Sequence, residues 1–199
     1  MNQQAPSPTS SSTSSTASQP DPHRDGARDK IRALLALGIA AAAVFTAIGL
    51  KQNTRPASGL EGQRAPSVNL AVLPLTATPE VTRVAIPEDL AGKPFVLHFW
   101  GPHCQPCLAE APQLVALHKR AAAEGFELLT VSGDDVQDIR AYMNKSGHTY
   151  RVLHDPAGKA HKAFVVSSIP RTLVVDGNGT VTHEADIGER IDTLKIPRR

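Results

Sequence analysis

The chain has 199 residues, and its 21 basic and 19 acidic side chains leave a formal net charge of +2. A balance so near neutral, with no basic cluster beyond the stretch Arg24 to Arg32, gives nucleic-acid binding no support. Two cysteines are too few to staple a disulfide-rich scaffold, so any folded part must be held by its apolar core.

Residues 1–23 are almost entirely Ser, Thr, Pro, Gln and Ala. Such a stretch cannot bury enough surface to offset its ordering entropy, so residues 1–30 read as a disordered tail. Arg24, Arg28, Lys30 and Arg32 follow, interleaved with Asp25 and Asp29. From Ala33 to Leu50 the chain then runs 18 residues without a charge. As a helix this run spans about 27 Å, close to the hydrocarbon thickness of a bilayer. A buried soluble helix would show a polar face, and this run offers Thr46 alone. A cleaved signal sequence would place its small-residue site close behind the apolar core, whereas Ala57-Ser58-Gly59 is separated from it by Lys51, Gln52, Asn53 and Arg55. Residues 31–50 are therefore expected to be an uncleaved single-pass transmembrane anchor, with 51–60 as a linker and 61–199 as one domain. The basic residues before the span favour a cytoplasmic N-terminus, which puts the domain on the extracytoplasmic side.

Beyond the Pro- and Thr-rich stretch around Pro74 to Pro79, strand-like and helix-like patterns alternate. Phe95–Phe99 reads as a buried strand, and Cys104 to about Glu124 as a helix stopped by Gly125 and kinked at Pro112. Phe126–Ser132 reads as a second strand, and Asp135 to Lys145 as a helix ending near Gly147. Tyr150–Leu153 is a short strand and Ala157–Phe164 a short helix. Arg171–Asp176 and Thr180–Ala185 flank Gly177-Asn178-Gly179, a hairpin signal. The pattern predicts an α/β domain of βα units closed by an antiparallel hairpin.

Both cysteines lie in Trp100-Gly101-Pro102-His103-Cys104-Gln105-Pro106-Cys107, directly after the first of those strands. Two sulfurs at this spacing can close a small disulfide ring with little backbone movement. A cysteine that opens a helix faces unpaired N–H groups and the positive end of the helix dipole, and both stabilise the thiolate that attacks disulfides. Cys104 is thus the expected nucleophile and Cys107, one turn deeper, the resolving thiol. Half of a zinc site completed by His98 and His103, or an inert staple, are the alternatives. The spacing fits no common zinc pattern, and so short a loop yields little stabilisation.

The chain resembles the membrane-anchored thioredoxin-fold thiol–disulfide oxidoreductases of the TlpA/ResA/DsbE type, over about Gly62 to Gly188. The similarity rests on four blocks in order: Gly62-Gln63-Arg64-Ala65-Pro66, Gly92-Lys93-Pro94 with the strand ending Phe99-Trp100, Cys104-x-x-Cys107-x-x-Glu110-x-Pro112, and Ile169-Pro170-Arg171-Thr172. It implies a thioredoxin-like fold, with a central mixed sheet flanked by helices, and exchange with protein disulfides and dithiols without a cofactor or a metal. It also implies a reductase recharged by a membrane electron donor of the DsbD/CcdA type and serving cytochrome c maturation. Pro170 is expected to be cis, turning its loop toward Cys104 and leaving the Ile169 backbone to pair with a substrate strand. Glu110 matches the acidic group the family places near its site, or is a solvated helix charge.

The sequence departs from that pattern at several points. His103 stands where the family usually has Trp, and either stabilises the Cys104 thiolate when protonated or is an exposed loop side chain. His98 stands where thioredoxins bury an acid, and either relays a proton for Cys107 or is a buried neutral histidine. Arg171 is expected to face acidic polypeptide partners, and His148, His154, His161 and His183 to lie on the surface. The C-terminal helix looks truncated, since Ile187–Arg199 is short and contains Pro197. An oxidant using the same cysteines is the nearest alternative function. A copper carrier and a thiol peroxidase are more distant ones, disfavoured by the two-residue spacing and by the lack of a Thr-x-x-Cys pattern.

Overall fold

A computed structural model describes residues 58–74 and 82–197. The stretch read as a tail and a membrane anchor lies outside them, and among the described residues no helix is long and apolar enough to cross a membrane. Seven strands form one mixed sheet: β1 (Val68–Val72), β2 (Arg83–Ile86), β3 (Phe95–Phe99), β4 (Glu127–Ser132), β5 (Arg151–His154), β6 (Arg171–Val175) and β7 (Val181–Glu184). Their order across the sheet is β2-β1-β5-β4-β3-β6-β7. The central strands β3, β4 and β5 run parallel, and β6 and β7 add the antiparallel hairpin. This is the thioredoxin-like α/β arrangement.

Strand β3 explains why the sheet forms where it does. All five of its residues are buried, as a central strand covered on both faces requires. Its alternate residues Phe95, Leu97 and Phe99 join one core with Leu129, Val131, Leu173, Val175 and Phe164. Val96, on the opposite face, joins Trp100, Leu114, Leu117, Leu128, Ile139 and Val174 in the other core. Helices α1 (Gln105–Glu124) and α2 (Val136–Ser146) supply that second core, and the short α3 (Lys159–Ala163) covers the first. Helix α1 continues unbroken past Pro112 and ends at Gly125, whose φ of 80° suits a residue without a Cβ.

Two features lie outside what the sequence patterns predict. The β1–β2 hairpin, joined to β5 through β1, adds two strands before the first strand read from the sequence. The segment from Gly62 to Ala65 also pairs with the β6–β7 turn and β7, through Gly62 N–H to Val181 O at 2.8 Å and Val181 N–H to Gln63 O at 2.9 Å. In place of a helix, the described C-terminal residues form a short turn, Ile191–Thr193, which packs on α1 through Ile191 and Leu194.

Candidate active site

Cys104 is the N-cap of α1 and Cys107 lies in its first turn, and the two are joined as a disulfide with an S–S distance of 2.07 Å. The helix starts here because Cys104 has an extended backbone while its carbonyl already accepts from Leu108 N–H at 3.0 Å. Pro106 fits the first turn, where its missing N–H has no helical partner to lose. Cys104 Sγ accepts from the Cys107 backbone N–H at 3.2 Å, so the helix aims a donor and its dipole at this sulfur. Cys104 is half-buried, whereas Cys107 is 5% exposed within the second core. The outer sulfur is therefore the one a partner can reach.

The turn before the cysteines closes through Cys104 N–H to Gly101 O at 3.2 Å. Gly101 is buried between two neighbours, for a Cβ built there would lie 2.5 Å from Asp134 Oδ2 and 3.3 Å from Ile169 Cδ1. The Asp134 carboxylate, held by Ser132 Oγ–H at 2.9 Å, thus touches the cysteine turn, and so does the residue before Pro170. The Ile169–Pro170 bond is cis. Sequence reading missed Asp134, yet a signal for it exists. Strands β3 and β4 are parallel neighbours, so the loops leaving their C-terminal ends, at Gly101 and Asp134, must meet.

His103 is largely exposed, and its Nε2 pairs with Asp138 Oδ2 of α2 at 3.1 Å. The hydrogen bond to Asp138, reinforced by the charges of Asp138 and Asp134, raises its pKa above the ordinary histidine value. His98 is 1% exposed on β3 and sits on the same sheet face as Val96 and Trp100, which pack with Cys107. Its Nδ1 is 2.9 Å from Thr172 Oγ1, the residue opposite it on β6. Trp100 packs against Tyr142 and Tyr150 at ring separations of 5.3 and 6.2 Å, and its buried Nε1–H has no hydrogen-bond partner among the described residues. Glu110 lies half-buried on α1, one turn beyond Cys107.

Two expectations need correction. Arg171 does not face partners: its side chain is 5% exposed and paired with Glu184, because β6 turns it toward the β7 side of the sheet. His161 is not a free surface residue either. Its ring packs edge-on against Phe99 at 5.0 Å, and its Nδ1 lies 2.8 Å from the buried Asp155 carboxylate. Among the described residues no group of three or more His, Cys, Asp or Glu side chains is arranged to hold a metal ion.

A redox-active pair capping a helix at the end of a central parallel strand, with a cis-proline loop against it, defines a thioredoxin-fold thiol–disulfide oxidoreductase. Residues 62–184 match the AhpC/TSA family, and the chain belongs to it. It is 32% identical over 157 residues to the thiol:disulfide interchange protein DsbE of Xylella fastidiosa, covering 76% of this chain and 75% of that one. It is also 31% identical over 150 residues to the thiol:disulfide interchange protein HelX of Rhodobacter capsulatus, covering 74% of this chain and 80% of the other. The fold is shared with the thioredoxin domain of a thiol-disulfide oxidoreductase from Bacteroides vulgatus, at a TM-score of 0.57, 20% identity, and 66% and 92% coverage of the two chains.

Proposed function

We propose that this chain is a membrane-anchored disulfide reductase whose domain works on the extracytoplasmic side. The observation that carries the chemistry is the Cys104 sulfur: half-exposed, seated on the N-terminus of α1, with its partner buried behind it. In the reduced protein the Cys104 thiolate attacks one sulfur of a substrate disulfide and expels the other as a thiolate. Cys107, deprotonated as it reacts, then attacks Cys104 Sγ in the mixed disulfide and releases the second substrate sulfur. Two electrons pass to the substrate, and the protein is left with the disulfide seen here. His98, on the Cys107 face of the sheet, takes the Cys107 proton, and the Ile169 backbone pairs with the incoming chain.

The reductase direction is supported by the surroundings of His103. An imidazolium beside a thiolate stabilises the reduced state and makes a protein oxidising. Here that cation is offset by Asp138, with Asp134 close by. The apolar run 33–50 supports anchoring, and a membrane dithiol donor of the DsbD/CcdA type would recharge the pair. The likeness to the thiol:disulfide interchange proteins DsbE and HelX supports a disulfide substrate, and the family resemblance of the four sequence blocks points to cytochrome c maturation as its setting.

The deciding experiment equilibrates the full chain against glutathione or dithiothreitol. A reduction potential near that of thioredoxin, about −270 mV, marks a reductase, and one near −120 mV marks an oxidant. Absence of any reversible two-electron couple would remove the exchange reading. A Cys107→Ser variant should accumulate a mixed disulfide on Cys104 when offered an oxidised polypeptide.

A further inference from the structure

Glu184 closes β7 with a side chain only 7% exposed, and its carboxylate gathers four donors. Three come from the chain just before the domain: Ser58 N–H at 3.0 Å, Ser58 Oγ–H, and Leu60 N–H at 3.2 Å. The fourth is the Arg171 guanidinium through Nη2. The same segment reaches back once more, since Glu61 Oε1 accepts the Glu184 backbone N–H at 2.9 Å. Burial alone would push the Glu184 carboxyl up, but the Ser58 donors and the Arg171 charge outweigh it and hold it below the ordinary glutamate value.

Arg171 directly follows Pro170, and the buried carboxylate beside it is its counterion. Its buried Nε–H has no hydrogen-bond partner among the described residues, and the guanidinium is tied through Nη2 to Glu184. From Thr172 onward β6 is held on both sides, by β3 and by Ala185 N–H to Thr172 O at 2.9 Å. Arg171 itself pairs with Phe99 of β3 alone, so the junction of Pro170 and Arg171 is held on one side where the rest of the strand is held on two.

We propose that Glu184 is a positioning residue for polypeptide substrates: it holds Arg171, fixes the Pro170–Arg171 junction, and ties it to the Ser58–Leu60 segment. A guanidinium left in this site without its carboxylate cannot stay buried. It must swing toward water, and the backbone it carries is the end of the substrate loop. Ser58 and Leu60 set the carboxylate in place, so the segment that leads into the domain contributes to substrate recognition from the far side of the sheet. This rests on the exchange reading, and the test separates the two.

The full chain, reduced, is offered two oxidants. A small aromatic disulfide such as 5,5′-dithiobis(2-nitrobenzoate) needs only the Cys104 sulfur, whereas insulin must also lie along the Pro170 loop. Glu184→Gln should slow reaction with insulin about tenfold and leave the small disulfide within twofold. Ser58→Ala, which removes one donor and keeps the ion pair, should slow insulin a few-fold in the same selective way and serves if Glu184→Gln does not fold. Glu184→Asp, which keeps the charge, should recover part of the insulin rate. Equal slowing of both oxidants, or no change in either, would overturn the positioning role. A wild-type chain that reduces neither would remove the exchange reading itself and the positioning role with it.

Discussion

Gly101→Ala tests how tightly the cysteine turn is fitted to its neighbours. The added methyl would sit 2.5 Å from Asp134 Oδ2, so the carboxylate must retreat by about 1 Å to reach an ordinary contact. That retreat breaks its bond with Ser132 Oγ–H, now 2.9 Å, and Ser132 is fully buried. A buried hydroxyl whose hydrogen is left unpaired costs about 1–3 kcal/mol, and Ser132 Oγ then keeps only the bond it accepts from Asp134 N–H at 3.3 Å. Restricting the unfolded chain returns about 0.4–1 kcal/mol, leaving a net loss of about 1–2 kcal/mol. For a domain of about 140 residues this lowers the melting temperature by roughly 3–7 °C. The assay is thermal unfolding of the oxidised protein by circular dichroism, run also in an Asp134→Ala background. There the obstacle is gone, and Gly101→Ala should cost under about 0.5 kcal/mol. An equal cost in both backgrounds would show that Asp134 is not what confines the turn.

Three further outcomes follow from other contacts. Val165 has a φ of 52° and is 53% exposed, a conformation that a β-branched residue holds at a cost of about 1–3 kcal/mol. Val165→Asn should therefore raise the urea midpoint by the equivalent of about 1 kcal/mol, and a lowered midpoint would contradict the strain. Asp155, 2% exposed, accepts from Lys159 N–H, His161 N–H and His161 Nδ1; burial alone would raise its pKa, but the His161 side chain and backbone, with Ala160 N–H, hold it below the ordinary value. Asp155→Ala should cost about 2–3 kcal/mol near neutral pH. Because the folded pKa is depressed, that stabilisation is present above the ordinary value of about 3.9 and lost as pH falls through the folded one, so a loss that does not shrink in acid would refute the account. The raised His103 pKa has the opposite sign: its contribution is present below about 6.5 and lost as pH rises through the folded value. Proton NMR of the His103 ring should show its titration midpoint dropping in Asp138→Asn, and an unmoved midpoint would mean the pair does not form in solution.

The centre of this fold was readable because its signals are local. Phe95–Phe99 is a run of apolar residues bounded by Gly92-Lys93-Pro94, and Gly125 and Gly147 end helices where residues with a Cβ would be strained. The β1–β2 hairpin was not readable because its partner is remote. Val68–Val72 is held by β5, more than 80 residues on, and no tight turn in sequence marks where it ends. The site divides in the same way. Cys104, Cys107 and Pro170 stand in short motifs, whereas Asp134 and Asp138 reach the cysteine turn only because parallel strands and a helix bring them there. Arg171 was misread for a related reason: the orientation of a side chain on a strand depends on register, which its neighbours in sequence do not reveal.

The pairing of residues 62–65 along the β6–β7 hairpin bears on how the protein behaves in a crowded compartment. A sheet border with idle amides recruits strands from other molecules and seeds aggregates. On the β7 side that border is occupied by the chain's own Gly62–Ala65 stretch. On the β2 side the strand is four residues long, carries Arg83 and ends at Pro87, and its Ala85 N–H is taken by the Asp89 carboxylate at 2.8 Å. A thiol–disulfide oxidoreductase that meets other polypeptides gains from both closures. Neither margin offers a long row of idle amides to a passing strand.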